Sequence, residues 1–196
     1  MRFLQEGTQL LRRTRPDVYQ NLVEPYVREI LLQADSPRIK ETEDSYIHVM
    51  QIQLGTVFVP PALWSGTDRE YDLHQFAASL PQEADHIRWY AEIPASSILT
   101  LKGEQFVFPP DQRSPLTPLE ETRTDPYSYL LEISGHLVTI ETLLSLAEQA
   151  PPESSLAYSL LRLADDDMRE VSETFDPLLN LFEQGRVLYP SGRGSP

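Results

Sequence analysis

The feature that most constrains the fold of this 196-residue chain is a pair of apolar rows with helical spacing, separated by Pro151-Pro152. The first row contains Leu130, Ile133, Leu137, Ile140, Leu144 and Ala147, and the second contains Ala157, Leu161, Ala164, Met168, Val171 and Phe175. Steps of three and four residues place side chains on one helix face, and two successive prolines end a helix. Residues 125–184 are therefore predicted to form an antiparallel helical hairpin.

Two helices alone leave part of their apolar surface uncovered. Leu160 and Leu163 lie beside the second row and widen its apolar face. We expect the hairpin to pack either on its own chain or on a second copy as a homodimer, and both possibilities stay open. Asp176-Pro177 predicts the start of a further short helix, and residues 185–196 are predicted to form a flexible tail.

Residues 1–110 show a different pattern, which favours an α+β body. The predicted elements are a helix over 16–34 interrupted at Pro25, strands within 45–61, a short helix over 71–80, a strand over 87–93 and a β-hairpin over 98–108. Alternation of apolar and polar residues is typical of a half-buried strand and is clearest at 87–93. The overall prediction is a small mixed or antiparallel sheet with N-terminal helices, a proline-rich linker at 111–124, and then the hairpin.

Charge and cysteine content exclude several classes of protein. Sixteen Lys and Arg against 30 Asp and Glu give a net charge of −14, so we expect neither direct nucleic-acid binding nor attraction to an anionic membrane. The absence of cysteine excludes disulfides and thiolate metal sites. The N-terminus lacks a signal-peptide pattern, no uninterrupted apolar run reaches about 20 residues, and a cytoplasmic location is expected.

The acidity is concentrated in the predicted hairpin. Residues 117–184 hold 14 acids and three bases, a net charge of −11. The densest group, called here the acidic cluster, consists of Asp165, Asp166, Asp167, Glu170 and Glu173. It could be a solvated helix face, a docking surface for a basic partner, or a divalent-metal site. The facing helix offers only His136 as a further ligand, so no metal site or cofactor is predicted.

No established catalytic motif is present. The four histidines are His48, His74, His86 and His136, and none belongs to a metalloprotease or triad pattern. No glycine cluster that could hold a phosphate occurs. The weak catalytic candidates are Glu104, His48 and Arg88.

One segment, EIPASSILTLKGEQFVFPP at residues 92–110, resembles the late part of ADP-ribosyltransferase catalytic domains. In that family a strand that begins at a proline is followed by a glutamate-bearing turn and a second strand. The resemblance implies that Glu104 is the carboxylate that orients NAD. Phe106 stands where the family pattern has a second acid, and the resemblance covers only this segment.

These observations predict a non-catalytic protein–protein interaction module, such as an accessory subunit, inhibitor or adaptor. The partner would be a protein with a basic surface, bound through the acidic helical arm. The first alternative is an NAD-using enzyme in which Glu104 orients the cofactor. The second alternative is an acidic DNA mimic that inhibits a nucleic-acid-binding protein.

Overall fold

The protein is mostly helical with a small sheet, as seen in a computed structural model. The structure describes residues 2–32, 51–53, 55–60, 68–92, 100–101, 126–183 and 187–188. The predicted linker at 111–124, His48 and Glu104 lie outside the described residues. So does most of the predicted hairpin at 98–108.

Five helical segments account for most of the described chain. They are α1 (Arg2–Thr14), α2 (Pro16–Val18, a π-helical turn Tyr19–Val23, and Glu24–Tyr26), α3 (Arg69–Glu92), α4 (Pro126–Gln149) and α5 (Ser155–Glu183). The strands are β1 (Glu29–Leu32), β2 (Gln51–Gln53), β3 (Thr56–Val59), β4 (Thr100–Leu101) and β5 (Val187–Leu188).

The first sheet has the strand order β1-β3-β2 and is mixed. Strand β1 pairs with β3 in parallel, whereas β2 pairs with β3 antiparallel. The purely antiparallel arrangement is therefore wrong, because the chain returns to the far edge of β3 after β1. Gly55, between β2 and β3, has a φ of 91°, a conformation that glycine adopts without steric cost. A second small sheet pairs β4 with β5. Val187 and Leu188, in the part of the chain predicted to be a flexible tail, therefore form a strand.

The predicted strand at 87–93 is wrong, because α3 continues to Glu92. The predicted helix at 71–80 is present and runs through Pro81 without a break. Phe76, Leu80 and Ala84 are fully buried at helical spacing. The helical period of these buried residues determines the structure. The alternation of apolar and polar residues after residue 87 falls at the partly exposed end of the same helix.

Two further helix boundaries differ from the prediction. The helix predicted for 16–34 ends at Tyr26, and Ile30 belongs to strand β1. Pairing of β1 with β3 supplies tertiary hydrogen bonds that the sequence pattern of one segment does not reveal. In α5, no new helix starts at Asp176-Pro177, because the helix continues from Ser155 to Glu183.

The predicted helical pair is present as α4 and α5, and α4 packs on α3 of its own chain. One continuous core joins residues of α1, α3 and the β3 strand to Ile140, Leu143, Leu146, Leu160 and Ala164 of the hairpin. Leu130–Gln149 is long and apolar enough to cross a bilayer by length and hydropathy, and half of it is buried inside the fold. A helix in the core of a protein has the same composition.

Candidate interaction face on the helical hairpin

The hairpin exposes an unusual number of large apolar side chains. We call this set the outer face: Leu137 (48% exposed) and Leu144 (38%) from α4, with Tyr158 (63%), Leu161 (46%), Met168 (49%), Phe175 (43%) and Leu179 (40%) from α5. Only Leu31 and Tyr90 are comparable elsewhere in the described part of the chain. Isolated exposed apolar residues are common, but a contiguous set marks an interaction surface.

Contacts of neighbouring residues show where α4 presents its part of the outer face. Gly135 lies against His86 of α3, and His136 lies against Asp167 of α5. Successive residues are rotated by about 100° in an α-helix. Leu137 and Leu144 consequently lie beyond the side that contacts α5, and they point away from α3.

Helix α5 presents its part of the outer face on the same side. Its buried row toward α4 and the core contains Ala157, Leu160, Ala164, Thr174 and Leu178. Leu163 packs on the core along one flank of this row. Leu161 and Met168 lie along the other flank, because successive residues of an α-helix are rotated by about 100°. The apolar side chains of both helices therefore border one groove, on the side of the hairpin opposite α3.

The position of the outer face corrects the predicted seam of the hairpin. Ala157 and Ala164 do face the core, but Leu161, Met168 and Phe175 are exposed. Two neighbouring rows of α5 both have apolar residues at three- and four-residue steps. One row is buried and the other is exposed, and Ala157 and Ala164 lie close to the border between them. The sequence pattern did not indicate which row contacts α4, because only packing against α3 and α4 decides the rotation of the helix.

The acidic cluster does not form a single exposed surface. Asp166 lies 3.0 Å from Arg169 and 3.9 Å from Arg162. Asp167 lies 3.5 Å from Nδ1 of His136 on the facing helix. Asp165 and Glu173 are exposed. Among the described residues, no group of three or more acids or histidines could hold a metal ion.

Asp165 belongs to the row of the outer face rather than to the flank. The exposed row of α5 is Tyr158, Leu161, Asp165, Met168, Ser172, Phe175 and Leu179, with steps of three and four. A carboxylate in the middle of an apolar row is costly to bury unless a cation pairs with it. A molecule that covers this face must therefore bring a donor to Asp165.

The carboxyl of Glu170, a member of the acidic cluster, is perturbed by its surroundings. Burial raises the pKa of its carboxyl above the ordinary value, and neighbouring Asp167 raises the pKa further. A raised pKa in the folded state means that the charged form is disfavoured by folding. Ionised Glu170 therefore lowers the free energy of unfolding at neutral pH. This loss of stability disappears as the pH falls from the raised pKa of the folded state to the pKa of the unfolded state.

Glu170→Gln is therefore expected to raise the Tm at pH 7. The gain should shrink as the pH falls and vanish below about pH 3.5, where the glutamate is mostly protonated in both states. Thermal unfolding across this pH range measures the difference. Glu173→Gln, at an exposed position of the same helix, removes the same formal charge and is expected to give a smaller change. Equal gains in the two variants would contradict a local origin at Glu170.

A second polar group lies buried between α3 and α4, and the sequence did not reveal it. His86 is 5% exposed, and its Nδ1 lies 3.5 Å from Glu83 while its Nε2 lies 3.6 Å from Glu132. Next to it, Trp89 donates a hydrogen bond to Ser134. Because α3 was not predicted past residue 80, its polar residues could not be aligned with those of α4. These contacts tie the hairpin to the body.

Arg88, a weak catalytic candidate, pairs with Asp85 within α3. Its Nη2 and Nε lie 2.6 Å and 3.0 Å from Oδ1 of Asp85, which is 1% exposed. An arginine so placed neutralises a buried carboxylate. The other candidates, Glu104 and His48, lie outside the described residues, so the ADP-ribosyltransferase resemblance stays a prediction.

No protein-family model, curated protein or solved structure matches this chain. The outer face is the most extended exposed apolar feature of the described residues. It is therefore the candidate functional site.

Proposed function

We propose that the protein is a non-catalytic interaction module, such as an accessory subunit, inhibitor or adaptor. It binds a partner protein through the outer face of the α4–α5 hairpin. The observation that carries the proposal is the set of seven large apolar side chains, each 38–63% exposed, along one side of two helices. Covering such surface is the main favourable term in protein association.

The hairpin is well suited to present a fixed surface. Its opposite side is anchored on α3 through buried apolar residues and through the polar contacts of His86 and Thr139. Thr142 and Thr174 satisfy their hydroxyls on the carbonyls of Val138 and Glu170. A face supported in this way loses little conformational entropy on binding.

The acidic cluster contributes in a narrower way than the sequence predicted. Asp166 and Asp167 are engaged with neighbouring Arg169 and His136. Asp165 is exposed within the apolar row of α5, where it would select a basic partner and orient it. Apolar contacts then supply most of the affinity, and this carboxylate supplies specificity.

Site-specific photo-crosslinking in the source cell tests the proposal. A photoreactive phenylalanine analogue at Met168, in the middle of the outer face, is expected to crosslink to a discrete partner protein. The matched control places the same analogue at Leu31, an exposed apolar residue of β1 that lies outside the hairpin. Equal crosslinking from both positions, or none from position 168, would refute the outer face as a binding site.

Substitution then measures the contribution of the face to binding. Met168→Glu is expected to weaken binding of the purified partner by about tenfold to a hundredfold, because residues near the centre of an interface contribute most of the binding energy. Leu144→Glu and Leu31→Glu form a matched pair, since both leucines are 38% exposed. Only the first should weaken binding in a calorimetric titration. Circular dichroism should show that all three variants fold.

A further inference from the structure

We propose that the partner element that occupies the outer face is a basic amphipathic helix, seated in the groove between α4 and α5. This inference rests on the proposed interaction function and specifies its partner. The groove is bordered by Leu137 and Leu144 on one helix and by Leu161, Met168 and Phe175 on the other. Binding of an amphipathic helix in an apolar groove is a recurrent mode of recognition.

The spacing of the apolar side chains fits a helix. Leu137 and Leu144 are seven residues apart, and Leu161, Met168 and Phe175 repeat the same interval. Seven residues are two helical turns, so each set recurs along a straight edge of the groove. A third helix with apolar residues at alternating steps of three and four would insert between the two edges.

The length of the groove indicates the length of the partner helix. Tyr158 and Leu179 mark its ends on α5. With a rise of about 1.5 Å per residue, this stretch is about 32 Å long. A helix of about 21 residues, or six turns, covers it. Adjacent helices pack at about 8–10 Å, so one helix fills the groove between α4 and α5.

Charge determines which kind of helix fits. Four exposed acids border or enter the outer face, against two exposed arginines, Arg162 and Arg169. The acids are Glu141, Glu148, Asp165 and Asp176. Arg169 is held at 3.0 Å by Asp166, and Arg15 lies 3.3 Å from Glu141. The remaining excess of carboxylates requires lysine or arginine on the partner.

The same charges disfavour a second copy of this chain as the occupant. Two outer faces placed together would bring the four acids of one copy against the four acids of the other. The exposed row of the second copy contains no lysine or arginine that could pair with Asp165. Asp165 would then be buried without a partner, and an unpaired buried carboxylate opposes association. A basic helix removes both difficulties, because its cations can face Asp165 in the groove and Glu148 along the α4 edge.

Two designed peptides of 21 residues test the inference. Both carry leucine at the a and d heptad positions, and one carries lysine while the other carries glutamate at e and g. Binding to the full-length protein is followed by fluorescence anisotropy, at concentrations where each peptide is monomeric. We expect the lysine peptide to bind at least tenfold more tightly than the glutamate peptide, with a difference that shrinks as salt is added.

Variants of the protein show where the peptide binds. Met168→Glu should weaken binding of the lysine peptide by at least a hundredfold, whereas Leu31→Glu should leave it unchanged. Glu148→Lys should weaken binding by about tenfold, and Glu29→Lys, at an exposed position of β1, should not. A loss common to both members of either pair would mean non-specific attraction to an acidic protein and would overturn the inference.

Three outcomes separate this inference from the proposed function. A dimer by native mass that Met168→Glu dissociates would show that a second copy occupies the face, and would overturn the basic helix. Equal binding of both peptides, or of neither, would overturn it as well. If position 168 still crosslinks to a partner in the cell, the proposed function stands. Failure of that crosslink refutes the proposed function itself.

Discussion

Replacement of Gly7 by alanine is expected to lower the Tm by about 4–8 °C. A Cβ at this position would overlap Cδ1 of Phe76 and lie 2.8 Å from its Cε1. Phe76 is completely buried and packs on Phe3 with ring centroids 5.5 Å apart. Overpacking of a rigid core costs about 1–3 kcal/mol, and each kcal/mol shifts the Tm of a domain this size by about 2–4 °C. We take the upper end of the cost because the overlap is severe, and we subtract the stabilisation of about 1 kcal/mol that alanine gives a helix.

The control for Gly7 is the intrinsic preference of alanine for helices. In an unobstructed helix, Gly→Ala stabilises by about 1 kcal/mol, so a drop in Tm isolates the contact with Phe76. Gln9→Ala, at an exposed position of α1, should change the Tm little. Phe76→Leu in the Gly7→Ala background should relieve part of the loss. An unchanged or raised Tm in Gly7→Ala would show that α1 is not packed closely on α3.

Loss of the guanidinium in Arg88→Met is expected to destabilise the protein by about 2–4 kcal/mol. Asp85 is 1% exposed, and Oδ2 of its carboxylate has no hydrogen-bond partner among the described residues. Arg88 supplies both hydrogen bonds to the other oxygen. Removal of one partner of a buried pair costs about 3–5 kcal/mol, and we reduce this figure because the Arg88 side chain is 34% exposed.

A double-mutant cycle and a matched pair test this explanation. Asp85→Asn in the Arg88→Met background should recover at least half of the loss in a denaturant titration, because no charge is then buried without a partner. Arg169 pairs with Asp166 at the same three-residue spacing, but both side chains are largely exposed. Arg169→Met should therefore cost about 0.2–1 kcal/mol. Equal costs for the two arginines would contradict burial as the cause.

This explanation also bears on the catalytic alternative. Arg88 was one of the three weak catalytic candidates in the sequence, together with Glu104 and His48. The structure pairs Arg88 with Asp85 in α3, next to the buried contacts of His86. A loss of stability without any other defect in Arg88→Met would agree with a structural role for this residue.

Helical periodicity predicted the hairpin correctly because the signal is long and redundant. Rows of apolar residues extend over about five turns in each helix, and Pro151-Pro152 leaves one place for the connection. Short signals were less dependable. The alternation at 87–93 covers only seven residues, and the continuing helix α3, buried through Phe76, Leu80 and Ala84, overrides it.

The candidate site was predictable only in part for a related physical reason. Asp165 and Glu173 were predicted to bind a partner, and both are exposed on α5. The sequence pattern did not reveal that Asp166 and Asp167 are held by Arg169 and His136. Such pairs depend on side-chain directions and on the alignment of α4 with α5, and neither is a property of one helix taken alone.

By itself, the sequence determined the two long helices, the place where the chain reverses between them and the concentration of negative charge on them, because periodicity and proline act locally. Tertiary structure decided the rest. Packing of α4 on α3 fixed the rotation of α5, so that Leu160 and Ala164 became core while Leu161 and Met168 became surface. Adjacent rows of similar hydrophobicity are equivalent in an isolated helix, and only the neighbouring helices remove that equivalence.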